Sequence, residues 1–179
     1  MDVLVVFASR AGATAEIADA LGDLGSGTRA GHHVVVRPVT DSVDPARHDA
    51  VVLGSAVYLG HWLKEATGFA RRNRPALSGR PLWLFSSGPL GTEQLDDEGR
   101  DLREVSAPEE LPELLETLSP RDHRVFFGAL DPRRLSLPHR ALRKLPAGRR
   151  ILPEGDFRDW REVDSWATGI ATQLTGSET

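Results

Sequence analysis

The sequence predicts an α/β fold in which a doubly wound parallel sheet of five strands carries helices on both faces, giving a three-layer sandwich. Short apolar runs alternate along the chain with segments whose apolar residues recur every three or four positions. That alternation is typical of repeated strand–helix–strand units. The opening apolar run does not alternate in polarity, which indicates a strand covered on both faces. The length of 179 residues suits one domain, which we expect to span residues 1–179.

Local patterns place each element in turn. The first strand is predicted at residues 3–8, and a helix begins at Thr14 and ends at Gly25. Further strands are predicted at 34–39, 50–54, 81–85 and 125–130. Further helices are predicted at 62–72, 111–118 and 160–174, where the apolar residues fall on one face. The spacing also predicts that Trp83, Trp160 and Trp166 lie in the core.

Residues 131–156 interrupt this pattern between the fifth strand and the last helix. This 131–156 segment is rich in proline and holds most of a local excess of arginine and lysine. Connections of this length inside compact domains are usually functional. We therefore interpret it as an insertion within the one domain, with a short helix near residues 139–145.

Composition excludes several classes of function. The chain has no cysteine, so disulfides and thiolate metal sites are excluded, and redox chemistry would need a cofactor without sulfur ligands. Its net charge is -4, and arginine outnumbers lysine twenty to two along the chain, which we interpret as a compositional bias, so no nucleic-acid partner is predicted. His32 and His33 have no partners at metal-ligand spacing, so no metal site is predicted. No leader-like or spanning segment is visible, which predicts a cytoplasmic protein.

The turn after the first predicted strand is a candidate phosphate site. Ligands of doubly wound sheets bind beyond the carboxyl ends of the strands. This turn also leads into a helix N-terminus, where free backbone N–H groups favour an anion. Gly12 would let the backbone approach a phosphate monoester, although a purely structural role, with Thr14 capping the helix, fits the sequence as well. The candidate residues are Ser9, Arg10, Ala11, Gly12, Ala13 and Thr14.

The turns after the third and fourth strands are candidates for holding a flat aromatic group. Tyr58 can stack on such a ring, and a flexible peptide near Gly60 can turn a carbonyl or an N–H group toward it. His61 is a candidate proton donor at the ring edge, and a helix cap or a surface position fits it as well. The candidate binding residues are Ser55, Ala56, Val57, Tyr58, Leu59, Gly60, Ser86, Ser87, Gly88, Pro89, Leu90 and Gly91.

Taken in order, these turns resemble those of the FMN-binding flavodoxins. The phosphate loop of that family reads Ser/Thr-x-Thr-Gly-x-Thr, and Ser9, Gly12 and Thr14 match it whereas Ala11 replaces the middle Thr. The chain is similar, more specifically, to the flavodoxin-like menaquinone-dependent protoporphyrinogen dehydrogenases. The matching residues are Phe7, Ala8, Ser9, Arg10, Gly12, Thr14, Tyr58, Gly60, His61, Gly128, Ala129, Leu130, Asp159 and Trp160.

The resemblance implies FMN as the cofactor and an FMN-dependent oxidoreductase as the function, with electron transfer of the protoporphyrinogen or quinone type. The implied partner is a small molecule or a quinone that accepts electrons. At most a peripheral membrane contact is implied, through the basic stretch that begins at Arg133 and ends at Arg150. A homo-oligomer is compatible with the sequence. Two alternatives stay open: a non-catalytic FMN electron-transfer protein, and a flavodoxin-like binding module that has lost FMN, to which Ala11 points.

Overall fold

A parallel sheet of five strands lies at the centre of the structure, a computed structural model that describes residues 1–23, 31–135 and 137–176. Its five strands and the three short strands outside it are, in chain order, β1 (Asp2–Ala8), β2 (His33–Pro38), β3 (Ala50–Tyr58), β4 (His61–Trp62), β5 (Leu82–Ser87), β6 (Asp122–Phe126), β7 (Ala129–Leu130) and β8 (Gly155–Asp156). The parallel strands lie in the order β2-β1-β3-β5-β6, and the two residues of β4 pair antiparallel with the end of β3. This arrangement confirms the predicted doubly wound fold.

Helices cover both faces of the sheet, so that the central strands β1, β3 and β5 are largely buried, whereas the edge strand β2 is partly exposed. They are α1 (Ala13–Gly22), α2 (Lys64–Arg72), α3 (Arg74–Ser78), α4 (Leu102–Val105), α5 (Leu111–Leu118), α6 (Leu137–Leu142), α7 (Pro146–Ile151) and α8 (Trp160–Thr175). Alternate residues of β1 point into the two cores, with Val3 and Val5 against α1 and α8, and Leu4 and Val6 against α2, α3 and α5. Because both faces of β1 are covered by helices, its apolar side chains are buried whichever face they point to.

Aromatic packing dominates the core on the side of α8. The rings of Phe85, Phe126 and Trp166 lie 5.6 to 6.3 Å apart, two of the three pairs meeting edge to face. Trp83 and Trp166 are buried, as predicted. The prediction for Trp160 was wrong, because this residue is 38% exposed. It is the first residue of α8, and the guanidinium of Arg158 covers its ring at 4.5 Å.

Several element boundaries differ from the prediction for local reasons. β3 runs on to Tyr58, and α2 begins at Lys64 instead of Trp62, because Trp62 and the residue before it pair with the end of β3 as β4. α1 begins at Ala13, and its predicted end at Gly25 lies outside the described residues. None of the helices in the described ranges is both long and apolar enough to cross a membrane.

The predicted fifth strand divides into two, and this division shapes the 131–156 segment. β6 ends at Phe126, and the chain then leaves the sheet so that β7 can pair antiparallel with β8. Ala129 opposes Asp156 and Leu130 opposes Gly155. The 131–156 segment is thus closed at its base by a short ribbon, and it contains α6 and α7.

Candidate functional site: a cleft at the carboxyl edge of the sheet

A cleft of about 570 Å³ opens at the carboxyl edge of the sheet, a volume within the range of small-molecule sites. The three turns singled out in the sequence line it together, through Ser9, Arg10, Ala11, Ala13, Thr14, Ala56, Val57, Tyr58, Leu59, Ser87, Gly88 and Leu90. A fourth wall comes from β7 and the 131–156 segment, through Gly128, Ala129, Leu130, Leu135, His139, Leu142 and Leu152. The structure therefore brings together residues from distant parts of the chain.

The turn before α1 has the backbone geometry of an anion site. Gly12 is the N-cap residue, with φ at 91°, and no side chain caps the helix. The N–H of Gly12 donates a hydrogen bond of 3.1 Å to Ser9 Oγ, which fixes the turn. Thr14 lies buried inside the helix, so the alternative in which it caps the helix was wrong. Because no side chain caps α1, its first N–H groups can donate hydrogen bonds to an anion. The positive end of the helix dipole would also attract that anion.

The second turn is a tight hairpin instead of a flexible loop. Leu59 and Gly60 join β3 to β4 with φ at 51° and 80°, the positive values that a two-residue hairpin requires. The carbonyl of Gly60 accepts a hydrogen bond of 2.8 Å from the N–H of Glu109. Leu59 is 97% exposed at the mouth of the cleft. The sequence predicted a flexible peptide near Gly60. In the structure the carbonyl of that residue is instead held by the segment before α5.

Tyr58 provides an aromatic surface on the cleft wall. Its ring is half-buried, and the guanidinium of Arg10 lies 5.3 Å from the ring centroid. Burial raises the pKa of the Tyr58 phenol, and the charge of Arg10 opposes this rise only in part. The phenol is therefore neutral at physiological pH, and the ring presents an uncharged face with a cation beside it.

Two of the candidate serines point away from the cleft. Ser55 Oγ donates to the carbonyl of Ala56 at 2.9 Å and accepts from the N–H of Leu63 at 3.0 Å. Ser86 is also fully buried, and its hydroxyl joins side chains below the cleft. Both residues hold the hairpin and β5 in place from beneath. Gly12, Gly60, Pro89 and Gly91 do not line the cleft either, although they shape its turns.

His61 lies outside the cleft, on the far side of the hairpin. Its Nδ1 is 3.0 Å from Glu110 Oε1, and its Nε2 is 3.7 Å from Glu109 Oε1. The second Glu110 oxygen accepts from the N–H of Trp62 at 3.1 Å. The histidine that lines the cleft is instead His139, in α6. Sequence reasoning missed it as a site residue, and the unusual length of the 131–156 segment was the available signal.

A buried arginine anchors the segment after β8 to the first turn of α1. Arg158, whose side chain is 6% exposed, pairs with Asp156 at 2.6 Å and with Glu16 at 2.8 Å, and it donates to the carbonyl of Ala13 at 3.2 Å. Burial raises the pKa of Glu16, but hydrogen bonds and charges from arginines outweigh it, so that pKa is lowered overall. The Glu16 carboxylate, next to the candidate phosphate turn, is therefore ionised, and the paired arginines balance its charge.

The sheet order and the cleft at its carboxyl edge define an α/β domain of the kind that binds a phosphorylated, flat ligand across its strand ends. A flavodoxin domain model matches residues 4–147 of this chain, which therefore belongs to the flavodoxin domain family. FMN, the cofactor predicted from the sequence, is the cofactor of that family. No curated protein sequence matches the chain significantly.

Solved flavodoxin structures share the fold at low sequence identity. Flavodoxin 2 from Bacillus cereus is 20% identical, with a TM-score of 0.60 over 97% of this chain and 99% of its own. A mutant flavodoxin from Pseudomonas aeruginosa is 15% identical, with a TM-score of 0.59 over 97% and 99%. The flavodiiron core of Flv1 from Synechocystis sp. PCC6803 is 13% identical, with a TM-score of 0.61 over 99% of this chain and 36% of its own. These likenesses show the fold.

Proposed function

We propose that this protein is an FMN-dependent oxidoreductase whose electron acceptor is a quinone or a similar planar molecule. The observation that carries the proposal is the fourth wall of the cleft, where the 131–156 segment contributes Leu135, Leu142 and Leu152. Apolar side chains on this wall favour an uncharged planar substrate beside the cofactor. A protein that only carries electrons to other proteins would need the edge of its cofactor to be open to solvent. The fourth wall would cover part of that edge.

The residues of the first turn would hold the phosphate of FMN. The Ser9 hydroxyl and the uncapped N–H groups of α1 would form a cradle of hydrogen-bond donors that suits a dianion, and the N–H of Gly12 fixes the turn through Ser9 Oγ. Tyr58 and the apolar fourth wall would contact the flat ring and exclude water from it. When bound, FMN supplies the hydride and electron transfer, while the protein supplies position and electrostatics.

His139 gives the fourth wall a group that can carry a proton. It is half-buried and lines the cleft together with the leucines of the 131–156 segment. Reduction of a quinone consumes protons as well as electrons, and an imidazole can pass a proton between solvent and a bound substrate. We assign it that role in the proposed reaction.

The basic residues of the 131–156 segment bear on the electron donor and on a surface contact. Arg133, Arg140 and Lys144 lie exposed there, and they would attract the carboxylates of a porphyrinogen, the donor that the sequence resemblance suggests. The exposed leucines Leu137 and Leu145 lie among these cations, a combination that suits peripheral contact with an anionic membrane. Both the porphyrinogen donor and the membrane contact are part of the proposal.

The first experiment is a titration of the purified protein with FMN, followed by reoxidation of the reduced complex under anaerobic conditions. A water-soluble naphthoquinone and cytochrome c are compared as acceptors, and protoporphyrinogen is then tested as the donor. Turnover with the quinone supports the proposal. Electron transfer to cytochrome c alone would indicate the non-catalytic carrier, and absence of FMN binding would indicate the binding module.

A pair of variants tests the fourth wall directly. Leu142→Asp places a charge on the wall, whereas Leu115→Asp makes the same change in α5 at a leucine of similar exposure that does not line the cleft. We expect the first variant to slow quinone reduction by about tenfold or more and the second to leave it unchanged. Equal rates for the two variants would contradict the assignment of this wall.

A further inference from the structure

One arginine of the 131–156 segment lies against the turn that precedes α1. Arg134 ends the short helical turn Pro132–Arg134, and its Nη1 donates to the carbonyl of Ala11 at 3.2 Å. The same nitrogen is 3.0 Å from Glu16 Oε1. It lies so close to Gly12 that a Cβ added there would collide with it. A cation from a distant part of the chain therefore touches the turn assigned to the phosphate of FMN.

Arg134 is an exposed arginine that already contacts the backbone of this turn. Arg158 is buried and is held by two carboxylates and a carbonyl. The guanidinium of Arg10 lies over the Tyr58 ring, on the side of the cleft assigned to the aromatic group. The side chain of Arg134 is 52% exposed, and its described carboxylate partner is Glu16. Because Arg158 also pairs with Glu16, that acid stays neutralised when Arg134 turns away.

The chemistry of the turn calls for such a charge. A phosphate monoester carries close to two negative charges at neutral pH, and Arg158 is already engaged in balancing the charge of Glu16, so a further cation is needed for the phosphate. Ala11 lacks a hydroxyl that could donate to a phosphate oxygen. A guanidinium forms charge-assisted hydrogen bonds to phosphate that are stronger than those of neutral donors.

We propose that Arg134 is a phosphate-binding residue that moves from Glu16 and the Ala11 carbonyl to the phosphate of FMN. The inference rests on the proposed function, namely that this chain binds FMN. It makes cofactor affinity depend on a residue outside the three turns.

The test compares FMN with riboflavin, which has the same ring and lacks the phosphate. Affinities are measured by fluorescence quenching for the unmodified protein and for Arg134→Gln. We expect the variant to bind FMN about tenfold more weakly and riboflavin as well as before. Arg161→Gln is the matched control, because it removes the same charge from an exposed arginine in the first turn of α8 that does not line the cleft. It should change neither affinity by more than about twofold.

A second variant moves the affinity in the opposite direction. Glu16→Gln removes the acid that holds Arg134, so FMN should bind more tightly relative to riboflavin, and added salt should weaken this gain. Parallel losses of both ligands in Arg134→Gln, or no loss of FMN, would overturn the role of Arg134 while leaving FMN binding intact. If the unmodified protein binds neither ligand, the proposed function itself fails, and this inference fails with it.

Discussion

The indole Nε1 of Trp62 lies 2.8 Å from the Oγ of Ser86, and this hydrogen bond ties the hairpin of the cleft to the neighbouring strand β5. The indole can only donate, so the Ser86 hydroxyl accepts from it and is free to donate in turn to Nε2 of His123 at 2.9 Å. Three residues from β4, β5 and β6 are therefore linked by a chain of hydrogen bonds beneath the candidate site.

Ser86→Ala should destabilise the protein by about 2–4 kcal/mol, because it leaves the buried indole N–H of Trp62 without an acceptor and removes the hydrogen-bond partner of His123 Nε2. Urea denaturation measures the effect. Ser78→Ala is the control, since its hydroxyl donates to the carbonyl of Arg74 at an exposed position and its loss should change stability by less than about 1 kcal/mol. Equal effects of the two changes would show that the buried chain contributes no special stability.

Protonation of His123 should destabilise the fold in mild acid. Burial lowers the pKa of His123 to about 4, and the charge of Asp122 offsets this only in part. In the unfolded chain the pKa is about 6.5, so as the pH falls below that value the unfolded state takes up a proton that the folded state does not. Stability should therefore be complete above about pH 6.5 and decline by up to about 3 kcal/mol toward pH 4.

The contribution of His123 can be separated from that of the carboxylates by a substitution that does not titrate. His123→Gln should have lower stability at neutral pH but a shallower decline between pH 6.5 and pH 4 than the unmodified protein. The free energy of unfolding is measured across that range by denaturant titration. Parallel pH profiles of the two proteins would show that His123 does not titrate differently in the folded state.

Gly60→Ala should destabilise the hairpin at the mouth of the cleft by about 1–2 kcal/mol, because an L-residue is strained at a φ of 80° even where its Cβ has room. Gly169→Ala makes the same change at an exposed position inside α8, where nothing lies within contact distance. That variant should be more stable by up to about 1 kcal/mol. Thermal unfolding compares them, and a shift of the same sign in both would contradict the strain at Gly60.

Gly12→Ala should weaken FMN binding by about tenfold while affecting riboflavin little, because it strains the turn that the phosphate would occupy. The new Cβ would also push against the guanidinium of Arg134. Fluorescence quenching measures both affinities, and Gly169→Ala serves again as the control. Undiminished FMN affinity in Gly12→Ala would place the phosphate elsewhere.

Local patterns sufficed for most of the fold. The apolar run that became β1 and the one-sided spacing of α8 predicted those elements, and five strands alternating with helices predicted the sheet. Carboxyl ends of parallel strands meet at one edge, so the convergence of Ser9, Tyr58 and Ser87 in a cleft followed from the strand assignment. The boundaries at β4 and β7 did not follow, because these short strands depend on antiparallel partners.

The sequence by itself determined the parallel sheet, the glycine turn before α1 and the position of the candidate site, because these depend on neighbours within one or two turns of the chain. Tertiary structure alone decided that Ser86 turns inward, that His61 pairs with Glu110, and that Arg134 reaches Ala11 from 123 residues away. The physical reason is that hydrogen bonds and ion pairs depend on distances of a few ångströms between side chains, and packing sets those distances while local spacing does not.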